Sequence, residues 1–492
     1  MRILLLVVVT SLCFSISISS QEFETFDTYF IDKTMRIDYF HIGDAKSELV
    51  TVDQIYRYGI WPGSRVNLID NLNYGRYFVK IFDAASGELI YSKGFDSYFG
   101  EYKTSQPAID GVKKTFHESA LIPSPKNKIF FTLHLRDKKN EMSEIFRAEV
   151  DPADVNIRND DLVDATIKIF ESDNNGDPHS RVDVAIIAEG YTNLETQQFR
   201  KDLAYFTNVF FVPEPYKSME SNFNIYGVFK ASAESGVDEP RANIFKNTVL
   251  NCTFNSMGSE RYLLTEDNKT LRDIAANVPY DALFIMVNHN RYGGGGIYNF
   301  YCTFTSGNQW KDYVFLHEFG HSFAGLADEY YTSSTAYNEF YPKGVEPVEA
   351  NISALLDPYR LKWDDMKGTG VEIPTPWEKA DYDAMDTKWQ SERAELNDKI
   401  AQLKRDKVPE QQIIRAQQQY DLKDKLHADD VDAYLGNSRF VGQVGAFEGA
   451  GYSSQGLYRP MLDCIMFSKG NKPYCKVCEK ATEEIIESYM EN

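Results

Sequence analysis

Residues 310–325 read Trp310-Lys-Asp-Tyr-Val-Phe-Leu-His317-Glu318-Phe-Gly-His321-Ser-Phe-Ala-Gly325. No proline interrupts the run, and its apolar residues recur at helical spacing. It therefore predicts a buried helix, with Ser306 or Asn308 as a cap and Gly325 placed to end it. In such a helix His317 and His321 lie about 40° apart around the axis and one turn apart along it, so both imidazoles can hold one metal ion from one face. Glu318 falls about 60° from His321, beside the ion rather than on it. A carboxylate there can take a proton from a water that zinc acidifies to a pKa of about 7, and pass it to a leaving amine. With 8 histidines in 492 residues, His-Glu-x-x-His arises by chance in about 1% of such chains, so coincidence is a poor account. Two ordinary core histidines are the plain alternative, and each would need a buried partner of its own.

A catalytic zinc needs a third protein ligand and one open position. Two acids follow the predicted turn at Gly325, namely Asp328 and Glu329. Asp328, seven residues after His321, is the first choice, since a short carboxylate can return to the ion after a tight turn. Glu329 is the alternative ligand. Either acid could instead orient a ligand histidine or hold calcium.

Outward from this segment the pattern is mixed. Stretches 182–188, 223–229 and 282–287 read as buried strands and 195–210 as a helix, which gives an α/β or α+β class. Residues 21–152 show short alternating runs with turn signals and predict an all-β sandwich, whose many Tyr and Phe residues fit packing better than glycan binding. The catalytic region then spans 153–492. Within it, about 377–430 is charged and Gln-rich, with apolar residues at helical spacing on both sides of Pro409; it reads as an inserted helical hairpin projecting from the domain. Tyr292 is followed by Gly293, Gly294, Gly295 and Gly296 without a Lys-Ser/Thr, so a phosphate loop is poorly supported. These glycines fit either an edge strand approached closely by a substrate backbone or a flexible turn.

Residues 1–20 combine a basic residue, an apolar run and small residues, the pattern of a signal peptide, so the chain is expected to be secreted or exported. No later stretch is long and apolar enough to predict a membrane span. The formal charge of −21, from 52 basic and 73 acidic residues, disfavours nucleic acid and anionic lipid as partners. Five cysteines follow the leader, an odd number, and Cys464, Cys475 and Cys478 could hold a disulfide.

The string HEFGHSFAGLADEYY (317–331), with AEGYT (188–192), NHNRYGGGGIYN (288–299), VGAFEGAGY (444–452) and YRPMLDCIM (458–466), resembles the bacterial IgA-peptidase family of zinc metalloendopeptidases over about residues 155–480. The resemblance implies a zincin or metzincin-like α+β catalytic domain behind an N-terminal β domain, one catalytic Zn2+, and a protein or glycoprotein substrate. Met466 resembles the methionine turn beneath the metal of metzincins. The usual glycine slot is taken by Ala324, and Gly325 and Asp328 each come one residue late, which is why the third ligand stays open between Asp328 and Glu329. Charge on the attacked carbonyl needs a stabiliser, for which Tyr452 and Tyr458 are the leading candidates, beside Tyr330, Tyr331 and Arg459. The expected activity is peptide-bond hydrolysis by Glu318-activated water. Its rivals are a glycan- or protein-binding surface protein on a degenerate peptidase scaffold, and a zinc amidase acting on non-protein amides.

Overall fold

The computed structural model describes residues 25–159, 162, 164–332 and 340–491. The expected signal peptide at 1–20 lies outside them. Seven strands come first: β1 (Phe30–Gly43), β2 (Glu48–Tyr58), β3 (Tyr77–Asp83), β4 (Leu89–Phe95), β5 (Lys114–Pro125), β6 (Ile129–Arg136) and β7 (Met142–Val150). They form two antiparallel sheets, ordered β2-β1-β5 and β4-β3-β6-β7. Alternate residues of both sheets, among them Ile37, Tyr39, Ile81, Ile122 and Phe131, share one core. Many of this region's aromatic rings are therefore spent on packing.

A six-stranded sheet follows, built from β8 (Lys168–Asp173), β9 (Val182–Glu189), β10 (Phe223–Phe229), β11 (Ala282–Val287), β12 (Gly294–Ile297) and β13 (Tyr301–Thr305). Its order is β12-β13-β11-β9-β10-β8; β9, β10, β11 and β13 run parallel, and β8 and β12 are antiparallel edges. Every residue of β9, β10 and β11 is buried, because both faces of the sheet are covered. Val184 and Ile186 point to one face, where helices α1 (Thr196–Phe210) and α3 (Lys311–Ser322) pack. Ala185 and Ile187 point to the other, against α2 (Asn268–Ala275) and the 249–264 loops. On the first face Phe284 of β11 stacks on Phe315 and Phe319 of α3, with ring centroids 4.5 and 4.7 Å apart.

Helices α4 (Lys379–Arg405) and α5 (Glu410–Gly436) pair as an antiparallel hairpin, with Trp389 stacked on His427 near its base and Ile400 against Tyr420 further out. The hairpin does not stand away from the molecule as its charged composition suggests. Asp424 accepts the Trp310 indole N–H at 2.6 Å, and Lys404 reaches Glu239 at 2.7 Å. Burying these few polar ties draws the whole hairpin down onto the body. The short ribbon of β14 (Phe447–Ala450) and β15 (Ser453–Arg459), then α6 (Lys476–Tyr489), close the chain around α3. The seven-stranded region meets the six-stranded one beside the β12–β13 connection, where Asn299 donates to Gly94 O at 2.8 Å and Arg36 pairs with Asp273 at 2.6 Å.

Candidate metal centre and cleft

Helix α3 begins after a turn in which Asn308 Oδ1 accepts the Trp310 N–H at 2.8 Å, while the Ser306 hydroxyl donates into the sheet at Val287 O. Neither expected residue caps the helix: Trp310 is the N-cap and no side chain caps it, while Asn308 shapes the turn just before. At the other end Gly325 adopts φ +60°, and the Leu326 N–H returns to Gly320 O at 3.0 Å. That left-handed turn reverses the chain and carries Asp328 back to the helix.

The two rings are fixed from behind. His317 Nδ1 donates to Ile465 O at 3.0 Å and His321 Nδ1 to Leu326 O at 2.6 Å. A carbonyl can only accept, so each Nδ1 carries a proton, and in the neutral ring Nε2 is left with a lone pair for a metal. The two Nε2 atoms lie 3.1 Å apart, and each is 3.1 Å from Asp328 Oδ1. Three lone-pair atoms converging at this spacing fit ligands about 2 Å from one shared cation. Burial disfavours charge on His321, but the Asp328 carboxylate overrides it and lifts the imidazole to about 9. The carboxylate thus draws positive charge to this point, whether a proton or a metal ion. Burial likewise works against an ionised Asp328, yet the two histidines hold it well below the usual carboxylate range.

Tyr452 donates its hydroxyl to Asp328 Oδ2, leaving Oδ1 for the histidines. It therefore positions Asp328, a different task from the carbonyl stabilisation expected of it. Met466 is fully buried under the helix, and a Cβ added at Gly320 would lie 2.9 Å from its sulfur. The glycine between the two histidines is what lets the methionine sulfur approach the helix this closely.

Glu318 borders the cleft, and burial raises its pKa against the opposing pull of both histidines. Its Oε1 lies so near β12 that a Cβ on Gly294 would sit 2.9 Å away; one on Gly296 would be 2.4 Å from the Glu318 carbonyl oxygen. On the opposite face a Cβ on Gly295 would meet Tyr262 at 2.4 Å, and Gly293, just before the strand, has Phe254 at 2.3 Å. The glycines are accordingly an edge strand squeezed between helix and loop, which rules out the flexible-turn reading.

The cleft includes Arg261, Tyr292, Tyr330 and Phe340 in its walls beside the two histidines, Glu318 and Asp328. Arg261 donates to the Tyr330 hydroxyl at 2.9 Å, and the Tyr330 ring lies near parallel to His317, 15° off with centroids 6.3 Å apart. Arg261 lies in a segment without metal-site periodicity, and no sequence signal marks it. Tyr458 is absent from the cleft walls and pairs through its backbone with Ser353. Tyr331 turns to Asp383 at 2.6 Å, and Arg459 is buried on the carbonyls of Gly449 and Leu462. Among the tyrosines expected as stabilisers, Tyr330 is the one in the cleft with its hydroxyl beside a cation.

Glu329 does not join the histidines. It faces the other way, where Oε1 accepts from Asn351 Nδ2 at 3.0 Å and lies 3.2 Å from Cys478 Sγ. The reason is local: past Gly325 the chain is not helical, so neighbouring side chains at 328 and 329 diverge. The five cysteines of the described residues are all buried and free, so the disulfide that Cys464, Cys475 and Cys478 could hold is not formed.

A family model described as IgA Peptidase M64 matches residues 170–486, and a second, Peptidase M64 N-terminus, matches 25–147. The chain belongs to the IgA Peptidase M64 family. No curated protein matches it. As an M64 peptidase it is a metallopeptidase, a hydrolase with a protein substrate, and among the described residues His317, His321 and Asp328 form one of two groups able to hold a metal. Among the described residues, no helix of this M64 peptidase is long and apolar enough to cross a membrane.

Proposed function

We propose that this M64 peptidase is an exported, zinc-dependent endopeptidase in which His317, His321 and Asp328 hold the ion and Glu318 moves the protons. The observation that carries the reading is the convergence of two imidazole nitrogens and one carboxylate oxygen, 3.1 Å apart, beside a carboxylate bordering the cleft. A two-nitrogen, one-oxygen donor set suits zinc and leaves a coordination position open. When bound, the ion supplies a Lewis acid that acidifies water and polarises the scissile carbonyl.

The chain's own groups do the rest. Glu318 accepts a proton from the attacking water as the new C–O bond forms, then delivers it to the nitrogen as the C–N bond breaks. Burial suits it to that exchange, because a raised pKa makes the carboxylate a better base. Antiparallel alternation turns the main-chain groups of Gly296 toward the outer edge of the sheet, beyond Gly294, whose carbonyl already accepts the Leu263 N–H at 3.1 Å, and there an extended peptide can add as a strand. Tyr330, tied to Arg261, donates to the carbonyl oxygen as it gains charge. Met466 floors the site as a methionine turn. These features support a metzincin-like catalytic domain over 153–492, carrying the hairpin as an insertion, behind a separate β-sandwich domain over 21–152.

Glu318→Gln at equal zinc occupancy is expected to lower kcat by about 10²–10⁴-fold on peptide substrates. Unchanged turnover would remove Glu318 from the mechanism. Export predicts a mature N-terminus at Gln21, read by N-terminal sequencing of the secreted chain.

A further inference from the structure

Behind the cleft lies a second set of ligand atoms that peptide hydrolysis does not use. Glu329, Cys464, Cys475 and Cys478 are all buried, and one ligand atom from each lies within 4.8 Å of the others. None of the four lines the cleft. Cys464 Sγ and Cys478 Sγ are 3.9 Å apart, and Glu329 Oε1 is 3.8 Å from Cys475 Sγ and 3.2 Å from Cys478 Sγ. Tetrahedral bonds of about 2.3 Å to sulfur and about 2.0 Å to oxygen hold their ligands roughly 3.8 Å apart for sulfur pairs and roughly 3.5 Å for sulfur with oxygen. A disulfide would need sulfurs about 2.05 Å apart.

The surrounding backbone turns donors toward this cluster. Cys464 Sγ accepts N–H groups from Cys475 at 3.1 Å and Met466 at 3.5 Å. Cys475 is the N-cap of α6 and Cys478 stands in its first turn, so the positive end of the helix faces the sulfurs. Glu329 Oε2 is buried without a hydrogen-bond partner, an orphan that a neighbouring cation would relieve. The spacing Cys475-Lys-Val-Cys478 is one that brings two thiolates to a single ion.

We infer that Glu329, Cys464, Cys475 and Cys478 bind a second divalent ion of the zinc class, closed to solvent and structural in role. Three sulfurs and one oxygen fill a tetrahedron and leave no position for substrate. The ion ties together the segments that shape the cleft. Glu329 adjoins Asp328, and Cys464 precedes both Ile465, whose carbonyl holds His317, and Met466 beneath the histidines.

The test uses the full chain, purified without chelator, with metal content measured by mass spectrometry. Wild type is expected to hold about two equivalents and His317→Ala/His321→Ala about one, since the latter keeps a complete four-ligand site. After exchange with cobalt(II), that double variant should show thiolate-to-metal charge transfer, which Cys475→Ser in the same background removes. One equivalent in wild type with none in the double histidine variant would overturn the inference, as would a disulfide among Cys464, Cys475 and Cys478 in a non-reduced peptide map. Cysteine variants risk misfolding, so the double histidine variant, with every cysteine intact, carries the decision. No arm reads activity, so the outcome is independent of the role given to Glu318.

Discussion

Asp328 and Glu329 carry the same functional group one residue apart and face opposite sides of one wall. Asp328 turns to the cleft, where its oxygens meet two imidazoles and the Tyr452 hydroxyl. Glu329 turns inward, to three sulfurs and the Asn351 amide. Both are buried, so burial does not separate them; their neighbours do. Nitrogen and oxygen donors beside a cleft leave room for a reacting molecule, whereas sulfur donors in a closed core leave none. What a carboxylate does here is set by the side of the chain on which it falls.

The contrast can be broken most directly by removing one side at a time. His321→Ala should abolish peptide hydrolysis, by on the order of 10³-fold or more, because the Lewis acid leaves with its ligand. Glu329→Gln should keep metal at the histidines; if it emptied that site instead, the two sides would not be distinct. Gly296→Ala comes next. Its Cβ would sit 2.4 Å from the Glu318 carbonyl, so helix α3 must shift, and a displacement of roughly 1 Å at a catalytic group costs about 10²-fold in kcat/KM. Wild-type rates would show that the strand and helix can part without consequence. Tyr452→Phe acts on the cleft side alone. Losing the bond to Asp328 should weaken metal binding there by about 10–100-fold in chelator competition and leave the sulfur cluster's ion in place.

The smallest effect comes from a half-buried carboxylate kept charged by protein cations. Burial opposes ionisation of Glu48, but His41 and Lys103 hold its pKa down to about 2, from an ordinary 4.5. Its contribution to stability is therefore present above about 4.5 and lost as pH falls toward 2. His41 has the opposite sign: burial lowers it, but Glu118 and Glu48 raise it above its ordinary 6.5. Its contribution is full below 6.5 and fades as pH rises through the raised value. Glu48→Gln should flatten the acid side of the Tm profile, by on the order of 2 °C, with no response to chelator. A chelator-sensitive change would put this carboxylate in the same class as the other two.

How far the sequence could be read depended on whether a feature is local. His317, Glu318 and His321 were legible because helical periodicity alone sets their spacing, and 182–188 because a strand covered on both faces reads as an unbroken apolar run. Asp328 and Glu329 could not be told apart, since the choice depends on the φ of Gly325 and on Tyr452 arriving from a distant turn. Arg261, the partner of Tyr330, was invisible for the same reason. The hairpin's composition suggested solvent on all sides, because a handful of polar ties to Glu239 and Trp310 leaves no periodic trace. The cysteines raised a disulfide because their number and an exported location are compatible with one. Glu329, which changes their meaning, lies 135 residues before Cys464.

The glycine edge strand also bears on selectivity. A rim without side chains can greet a guest only through main-chain groups, and those are alike in every polypeptide. Discrimination among cleavage sequences then has to come from the other walls, where the aromatic rings of Tyr330, Phe340 and Tyr341 crowd the cleft.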